Sequence, residues 1–174
     1  NPTLKRNLKK LSKEFKSKKK PFFEKKRKII ISIGRLDETK NQIMLLRAVN
    51  LLKDKTIFDI VLIGEGKNKR YLVEYAKKIG INKNLYIYNF KKNPFPYLLN
   101  SDLKILTSNF EGLPNVLIEA MALNIPIIST NSPTGPREIL LNGKAGFLVK
   151  RNDHISLSKK IKLFLENPKV FRKK

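Results

Sequence analysis

The sequence predicts an α/β domain: a parallel β-sheet with helices on both faces. Three observations carry this. From residue 28 onward, short apolar runs alternate with segments of helical spacing, and repeated strand–helix units build parallel sheets. The first run, Lys28 to Ile33, is apolar after its lysine but for Ser32, the mark of a strand buried on both faces. Four polar or glycine-bearing segments (Gly34-Arg35, Gly64-Glu65-Gly66, Asn89-Phe90 and Ser108 to Glu111) each follow a strand. They therefore converge on one edge, and in such sheets ligands bind outside the carboxyl ends of the strands.

Each element has its own signal. Thr3 to Lys20 places Leu4, Leu8, Leu11 and Phe15 at helical spacing on a lysine-rich background, and Pro21 ends it. Four apolar positions make a narrow stripe, which suits a linker helix packed on another domain better than a surface-seeking amphipathic helix. After the strand 28–33, Asn41 to Lys53 reads as a helix with Ile43, Leu46, Val49 and Leu51 around its inner face. Ile57 to Ile63 is a second strand. Asn68 to Ile79 is a helix, with Gly80 its C-terminal cap. Asn84 to Tyr88 is a strand, Pro94 to Asn100 a short helix, and Leu103 to Leu106 a strand. Pro114 to Leu123 is a helix, Pro126 to Ser129 a strand, Pro136 to Leu140 a short helix and Gly146 to Val149 a last strand. Asp153 to Glu166 is a closing helix with Asp153 as N-cap.

Composition narrows the chemistry. The chain has 174 residues, enough for one domain with a substantial core. It has no cysteine, so disulfide and thiolate chemistry are excluded, and a reducing compartment is permitted. No apolar run approaches the length that spans a bilayer. The formal charge is +24, with 13 Lys/Arg against 2 Glu in residues 1–28 alone. Such a balance attracts an anionic membrane surface. A chain full of Lys, Ile and Asn is also what an AT-rich genome encodes, and the two readings are compatible. The basic residues are spread and surround no aromatic stacking platform or reading helix, which argues against nucleic acid as the partner. His154, the single histidine, has no metal-ligand companion and is expected at the surface. The chain lacks a full G-x-G-x-x-G and a G-x-x-x-x-G-K-[ST], disfavouring a dehydrogenase or a P-loop ATPase. With one His and no Cys, it carries no Ser/His/Asp or Cys/His set.

The most informative stretch runs from Ser108 to Ala120, Ser-Asn-Phe-Glu-Gly-Leu-Pro-Asn-Val-Leu-Ile-Glu-Ala. It places Glu111 in a loop and Glu119 on a helix. Pro114 suits the first helical turn, where its fixed φ fits and its missing N–H costs nothing. The amides around Leu113 to Val116 then point out of a helix N-terminus, a ready site for a phosphate or diphosphate. A carboxylate is an acceptor only, so each glutamate can hold the hydroxyls of a sugar or a ribose. A diphosphate between two polyol grips describes a nucleotide sugar.

This stretch resembles the E-x7-E signature of the retaining glycosyltransferases of the GT-B fold, family 4, the glycosyl transferases group 1 domain. The segment from Ile31 to Gln42, with Gly34-Arg35-Leu36 and Lys40, resembles that family's donor-phosphate loop. The run Ser132-Pro133-Thr134-Gly135-Pro136-Arg137-Glu138-Ile139-Leu140, followed by Gly143 and Gly146-Phe147-Leu148-Val149, resembles its distal glycine-rich segment. The wording of these motifs is most similar to bacterial transferases of surface-polysaccharide and lipid-linked oligosaccharide assembly. The resemblance implies the Rossmann-like C-terminal, donor-binding half of a two-domain enzyme. Residues 1–27 are then the basic interdomain linker, and 28–174 the nucleotide-sugar domain of a protein about twice as long.

The resemblance also implies roles. Arg35 and Lys40 neutralise the leaving diphosphate, with Gly34 letting the backbone approach. Glu119 grips the ribose hydroxyls, and Glu111 faces the donor sugar. Gly112, Leu113, Pro114 and Asn115 supply amides and shape. Phe90 lies against the base or packs in the core; Thr134, Gly135 and Glu138 sit near the sugar or the cleft, or serve as turn and cap residues. No cofactor or metal is expected, and no Asp-x-Asp metal pair is present. The implied reaction is retaining transfer from a nucleoside diphosphate sugar, UDP-linked on family frequency, to a hydroxyl of a lipid-linked or lipopolysaccharide acceptor. The setting is the cytoplasmic face of the membrane, with the acceptor held by the other domain, so this chain alone is expected to bind donor without turnover. Two alternatives remain: a nucleotide-sugar 2-epimerase on the same scaffold, and a basic module for anionic lipid or nucleic acid.

Overall fold

The computed structural model describes residues 27–172. The segment Thr3 to Lys20 and its Pro21 stop lie outside them, as does all of the linker except Arg27. The elements follow in the order β1 (Lys28–Ile33), α1 (Gln42–Asn50), β2 (Phe58–Ile63), α2 (Lys69–Lys78), β3 (Leu85–Tyr88), α3 (Phe95–Leu99) and β4 (Leu103–Leu106). Then come α4 (Asn115–Ala122), β5 (Ile127–Thr130), α5 (Pro136–Ile139), a 3-10 turn at Leu141–Gly143, β6 (Phe147–Val149), α6 (His154–Glu166) and α7 (Lys169–Arg172).

The six strands form one parallel sheet in the order β3-β2-β1-β4-β5-β6. This is a Rossmann-like arrangement, with the strand order reversing between β1 and β4. There, helices leave the sheet toward opposite faces and open a crevice at the carboxyl ends of the strands. Each central strand is apolar on both faces because both faces are covered. Ile30, Ile60, Leu62, Leu103 and Ile105 pack in one layer with α1, α2 and α6. Ile29, Ile31, Val61, Ile63 and Leu106 pack in the other with Leu98 of α3 and Leu117 and Ala120 of α4.

Local chemistry sets the helix ends. Asp153 caps α6 by accepting from the Ser156 amide at 2.8 Å. Gly80, at φ 76°, takes the left-handed position that stops α2, and Ile81 N–H closes the turn on Ala76 C=O at 2.9 Å. Other expectations shift. Leu51, read as facing inward, is 52% exposed, because α1 ends at Asn50 and the chain turns outward. His154, expected at the surface, is half-buried as the first residue of α6. Helix α4 buries only Leu117 and Ala120 fully, since one face meets the sheet and the other meets the loops of the crevice. After Pro168, α7 adds a turn that returns Phe171 to the core, edge-on to Phe164 at 5.3 Å between ring centres.

Candidate functional site

The loop after β1 opens on Gly34 and carries Arg35, Asp37 and Lys40. Gly34 N–H donates to Ile63 C=O at 3.0 Å, and Leu36 N–H to Glu65 C=O at 2.8 Å, so the β1 and β2 loops run against each other. The approach is so close that a Cβ on Gly64 would strike the Gly34 carbonyl. Asp37 accepts from the Lys40 amide at 2.9 Å and pairs with the Arg35 guanidinium at 3.3 Å. The Arg35 side chain is otherwise open to solvent.

The loop after β4 is stitched to the same segment. Thr107 Oγ1 donates to Lys40 C=O at 2.8 Å. Asn109 N–H donates to Thr39 C=O at 2.8 Å, and Asn109 Nδ2 to Glu38 C=O at 2.9 Å. Glu111 is thereby drawn inward, its side chain only 7% exposed. Its Oε1 accepts from Ser108 Oγ at 2.5 Å and from Lys40 Nζ at 2.6 Å. A carboxylate at that depth needs such partners, and the lysine supplies the opposite charge.

The motif helix starts one residue later than Pro114, which occupies the N-cap. Leu117 N–H already bonds Pro114 C=O at 2.9 Å. The first-turn amides left open are those of Asn115 and Val116; Leu113, expected among them, lies before the cap with its side chain 65% exposed. The distal segment braces this turn from behind. Thr134 Oγ1 donates to Glu111 C=O. Gly135, at φ 85°, leaves no room for a Cβ against Gly112 O and Pro114 Cδ. Thr134 and Gly135 thus meet the motif loop directly, while Gly112 and Asn115 are exposed beside it. Glu138 is exposed on α5.

These loops enclose a cavity of about 610 Å³ at the carboxyl edge of the sheet. Gly34 and Arg35 line it from the β1 loop, Gly64 and Glu65 from the β2 loop, Phe90, Lys91 and Lys92 from the segment after β3, and Val116 and Glu119 from α4. Two other cavities, of about 530 and 520 Å³, lie at the opposite edge and between α1 and α6; of the motif residues they hold only Gly146 and Phe147 of the distal segment. Phe90 is 71% exposed, so it stands at the mouth of the cavity rather than in the core. Its amide donates to Glu65 Oε1 at 3.3 Å. Arg35, Gly34, Phe90 and Glu119 therefore share one cavity, and Lys40 and Glu111 pair beside it.

Beneath Glu119 lies a residue that sequence reading passed over. Lys104, in the middle of β4, is completely buried. By strand alternation it shares the α4 face with Leu106. Burial pushes its pKa down to about 7, against the fields of Glu119 and Glu111, which favour its charge; Lys40 opposes it. Burial also raises the Glu119 carboxyl, and Lys104 offsets that. Lys104 Nζ and Glu119 Oε2 are both buried without a hydrogen-bond partner among the described residues. The available signal was a lone lysine inside Leu-Lys-Ile-Leu, a strand whose neighbours are all buried. Ser108 was likewise missed as a partner of Glu111.

The model of the family described as glycosyl transferases group 1 matches residues 13–174. The chain belongs to that family. This glycosyl transferases group 1 domain is 34% identical over 145 residues to a Campylobacter jejuni enzyme, N-acetylgalactosamine-N,N'-diacetylbacillosaminyl-diphospho-undecaprenol 4-alpha-N-acetylgalactosaminyltransferase, covering 83% of this chain and 39% of the relative. It is 42% identical over 113 residues to an uncharacterized glycosyltransferase of Methanocaldococcus jannaschii, covering 64% of this chain and 28% of the relative. The chain thus spans well under half the length of these curated relatives. Its fold superposes on Anabaena HepE in complex with UDP and glucose with a TM-score of 0.79 at 20% identity, over 96% of this chain and 46% of that one. The expected Rossmann-like fold of the GT-B glycosyltransferases and the family are both as the motifs implied.

Proposed function

We propose that the glycosyl transferases group 1 domain binds the donor, a nucleoside diphosphate sugar linked to UDP, for retaining transfer to an acceptor hydroxyl in bacterial cell-surface glycan assembly. The observation that carries this is Glu119, an acceptor-only side chain opening into the same cavity as Arg35. A ribose diol on Glu119 sets the diphosphate toward Arg35 and the open amides of Asn115 and Val116, where a helix N-terminus and a guanidinium favour negative charge. The HepE complex with UDP and glucose supports UDP as the nucleotide. The Campylobacter relative, named for an undecaprenol-linked substrate, supports a lipid-linked acceptor.

In this reading catalysis is electrostatic. As the glycosidic bond to the diphosphate breaks, charge grows on the leaving oxygens, and fixed cations and amides stabilise it without reorganising. Lys40 must then turn from Glu111 toward the diphosphate, which frees Glu111 to face the sugar. No metal is required for this step, since Arg35 and Lys40 supply the charge. The sugar is a hexose or an N-acetylhexosamine. The basic surface holds the enzyme at the inner face of the cytoplasmic membrane, where a lipid-linked acceptor is presented.

Calorimetric titration with UDP, GDP and their sugars tests the donor site. UDP should bind, with or without EDTA. Glu119→Ala and Arg35→Ala should each weaken it by about tenfold or more, as losing a charge-assisted hydrogen bond implies. A folded protein that binds no nucleotide, or variants that bind as the wild type does, would refute the assignment. The chain alone should show no sugar transfer, and transfer by it would remove the need for a second domain.

A further inference from the structure

Lys104 is an expensive residue to keep where it is. It lies in the centre of β4, hydrogen-bonded between β1 and β5, with Leu103, Ile105 and Leu106 around it. A methionine or leucine would fill the same space without desolvating an ammonium. Its Nζ makes no hydrogen bond and no ion pair within 4.0 Å among the described residues, so it ties no loop together. Nor does it serve the sheet, whose register is set by backbone pairing. Something else must account for a charge at that depth.

The surroundings point to Glu119. That carboxylate presents itself to the cavity while its Oε2 is buried, unpartnered, on the protein side. The other charged groups near it belong elsewhere. Lys40 is committed to Glu111 at 2.6 Å, and Arg35 pairs with Asp37 and is otherwise open to solvent. Glu65, on the β2 loop, has like charge, and Lys91 and Lys92 stand across the cavity after β3. On α5, Arg137 and Glu138 are exposed. Tyr86 and Tyr88 of β3 and Tyr97 of α3 pack in the apolar layer that α4 also covers. Lys104 is the one fully buried cation among the described residues, on the β4 face that α4 covers, and its unpartnered ammonium and the unpartnered Glu119 Oε2 are buried beneath the same helix; its charge offsets the rise that burial gives the Glu119 carboxyl.

We propose that Lys104 is a positioning residue of the nucleotide site: its buried ammonium is the counter-charge that holds Glu119 as a carboxylate able to accept both ribose hydroxyls. The role rests on the donor-site reading above and adds a residue behind it that never touches the ligand. Without Lys104, Glu119 would be a half-buried carboxyl with nothing to offset its desolvation, and it would take up a proton. A protonated carboxyl donates one hydrogen bond and loses acceptor capacity, so it grips a diol poorly.

The test uses Lys104→Met, which keeps length and apolar bulk. Carbon-13 NMR of glutamate-labelled protein, with Glu119 assigned by Glu119→Gln, follows the Glu119 carboxyl without nucleotide. Lys104→Met should raise its midpoint by about one pH unit or more. Calorimetry of UDP should show a loss that grows as pH falls through the Glu119 midpoints, toward about tenfold per unit of midpoint once both are passed, and that closes by pH 8.5. The loss should be confined to nucleotides with a diol: 2′,3′-dideoxyuridine diphosphate should bind wild type and Lys104→Met alike. If Lys104→Met does not fold, reciprocity supplies the second variant. In Glu119→Gln the Lys104 midpoint must fall below its wild-type value by the same amount, and an unchanged Lys104 midpoint overturns the coupling. UDP binding by the wild type, with identical pH profiles and identical dideoxy ratios in Lys104→Met, overturns the role of Lys104 alone. Failure of the wild type to bind UDP at any pH overturns the donor-site reading, and this role with it.

Discussion

At the scale of single residues, the site joins two kinds of carboxylate. Glu111 is satisfied by Ser108 and Lys40, whereas Glu119 keeps a buried oxygen unpartnered. In the donor-site reading proposed above, the contrast gives them different work: Glu111 is held until a ligand displaces its cation, and Glu119 accepts the ribose. Lys104 also leaves a mark on stability. Its folded pKa of about 7 lies below the ordinary lysine value, so between those two pH values the unfolded chain binds more protons. Stability should therefore rise with pH across that window, by on the order of 2–3 kcal/mol between pH 7 and 9.5. Urea unfolding of the wild type at the two pH values checks this, and in Lys104→Met the rise should vanish. The motif glutamates, Arg35 and Lys40 were all legible as residue types in a pattern. Lys104 was not, because a strand read as an apolar run hides its one charged position, and because burial shows itself only when β5 and α4 close over it.

At the scale of elements, the apolar runs and breaks predicted every strand of the sheet and most helices, with ends exact or off by at most three residues. What the sequence left out has a physical cause in each case. Leu51 is apolar and about one turn from the buried Ala48, yet α1 stops before it, so helical spacing pointed inward where the chain turns out. Helix α7 is four residues long, too short for a period to register, and owes its place to Phe171 packing on Phe147 and Phe164. Asp153 was legible because an N-cap is a local device. Its carboxylate accepts from both the Ser156 amide, at 2.8 Å, and the Ser156 hydroxyl, at 2.7 Å, and these bonds hold its pKa below the usual aspartate range. Asp153→Ala should cost about 1 kcal/mol, read as a lower urea midpoint with an unchanged slope. Thr134 and Gly135 show the limit of motif reading: the pattern said they matter, and only the fold says that they meet the motif turn rather than line the cavity.

At the scale of the whole molecule, strand order does the assembling. With β1 beside β4 in the centre, the first and the E-x7-E motifs, about seventy residues apart in the chain, become adjacent loops by topology alone. The charge is a property of this scale too. At +24, the chain should sediment with vesicles containing anionic lipid at low salt and be released as ionic strength rises, since the attraction fades within a Debye length. Vesicles of neutral lipid should not retain it. Retention that persists at high salt would mean apolar insertion instead of charge.

The bonds between the β1, β2 and β4 loops divide the crevice into two mechanical halves. On the side of the β1 and β4 loops, backbone and side chain are sewn together through Leu36, Thr39, Lys40, Thr107 and Asn109. On the far side, Phe90 stands exposed, its amide donating a hydrogen bond to Glu65 Oε1 at 3.3 Å. Substitutions in that looser strip can therefore accumulate without disturbing the stiff half. On the proposed donor reading, a scaffold of this kind can exchange one nucleobase for another over evolutionary time while its phosphate-handling chemistry stays fixed.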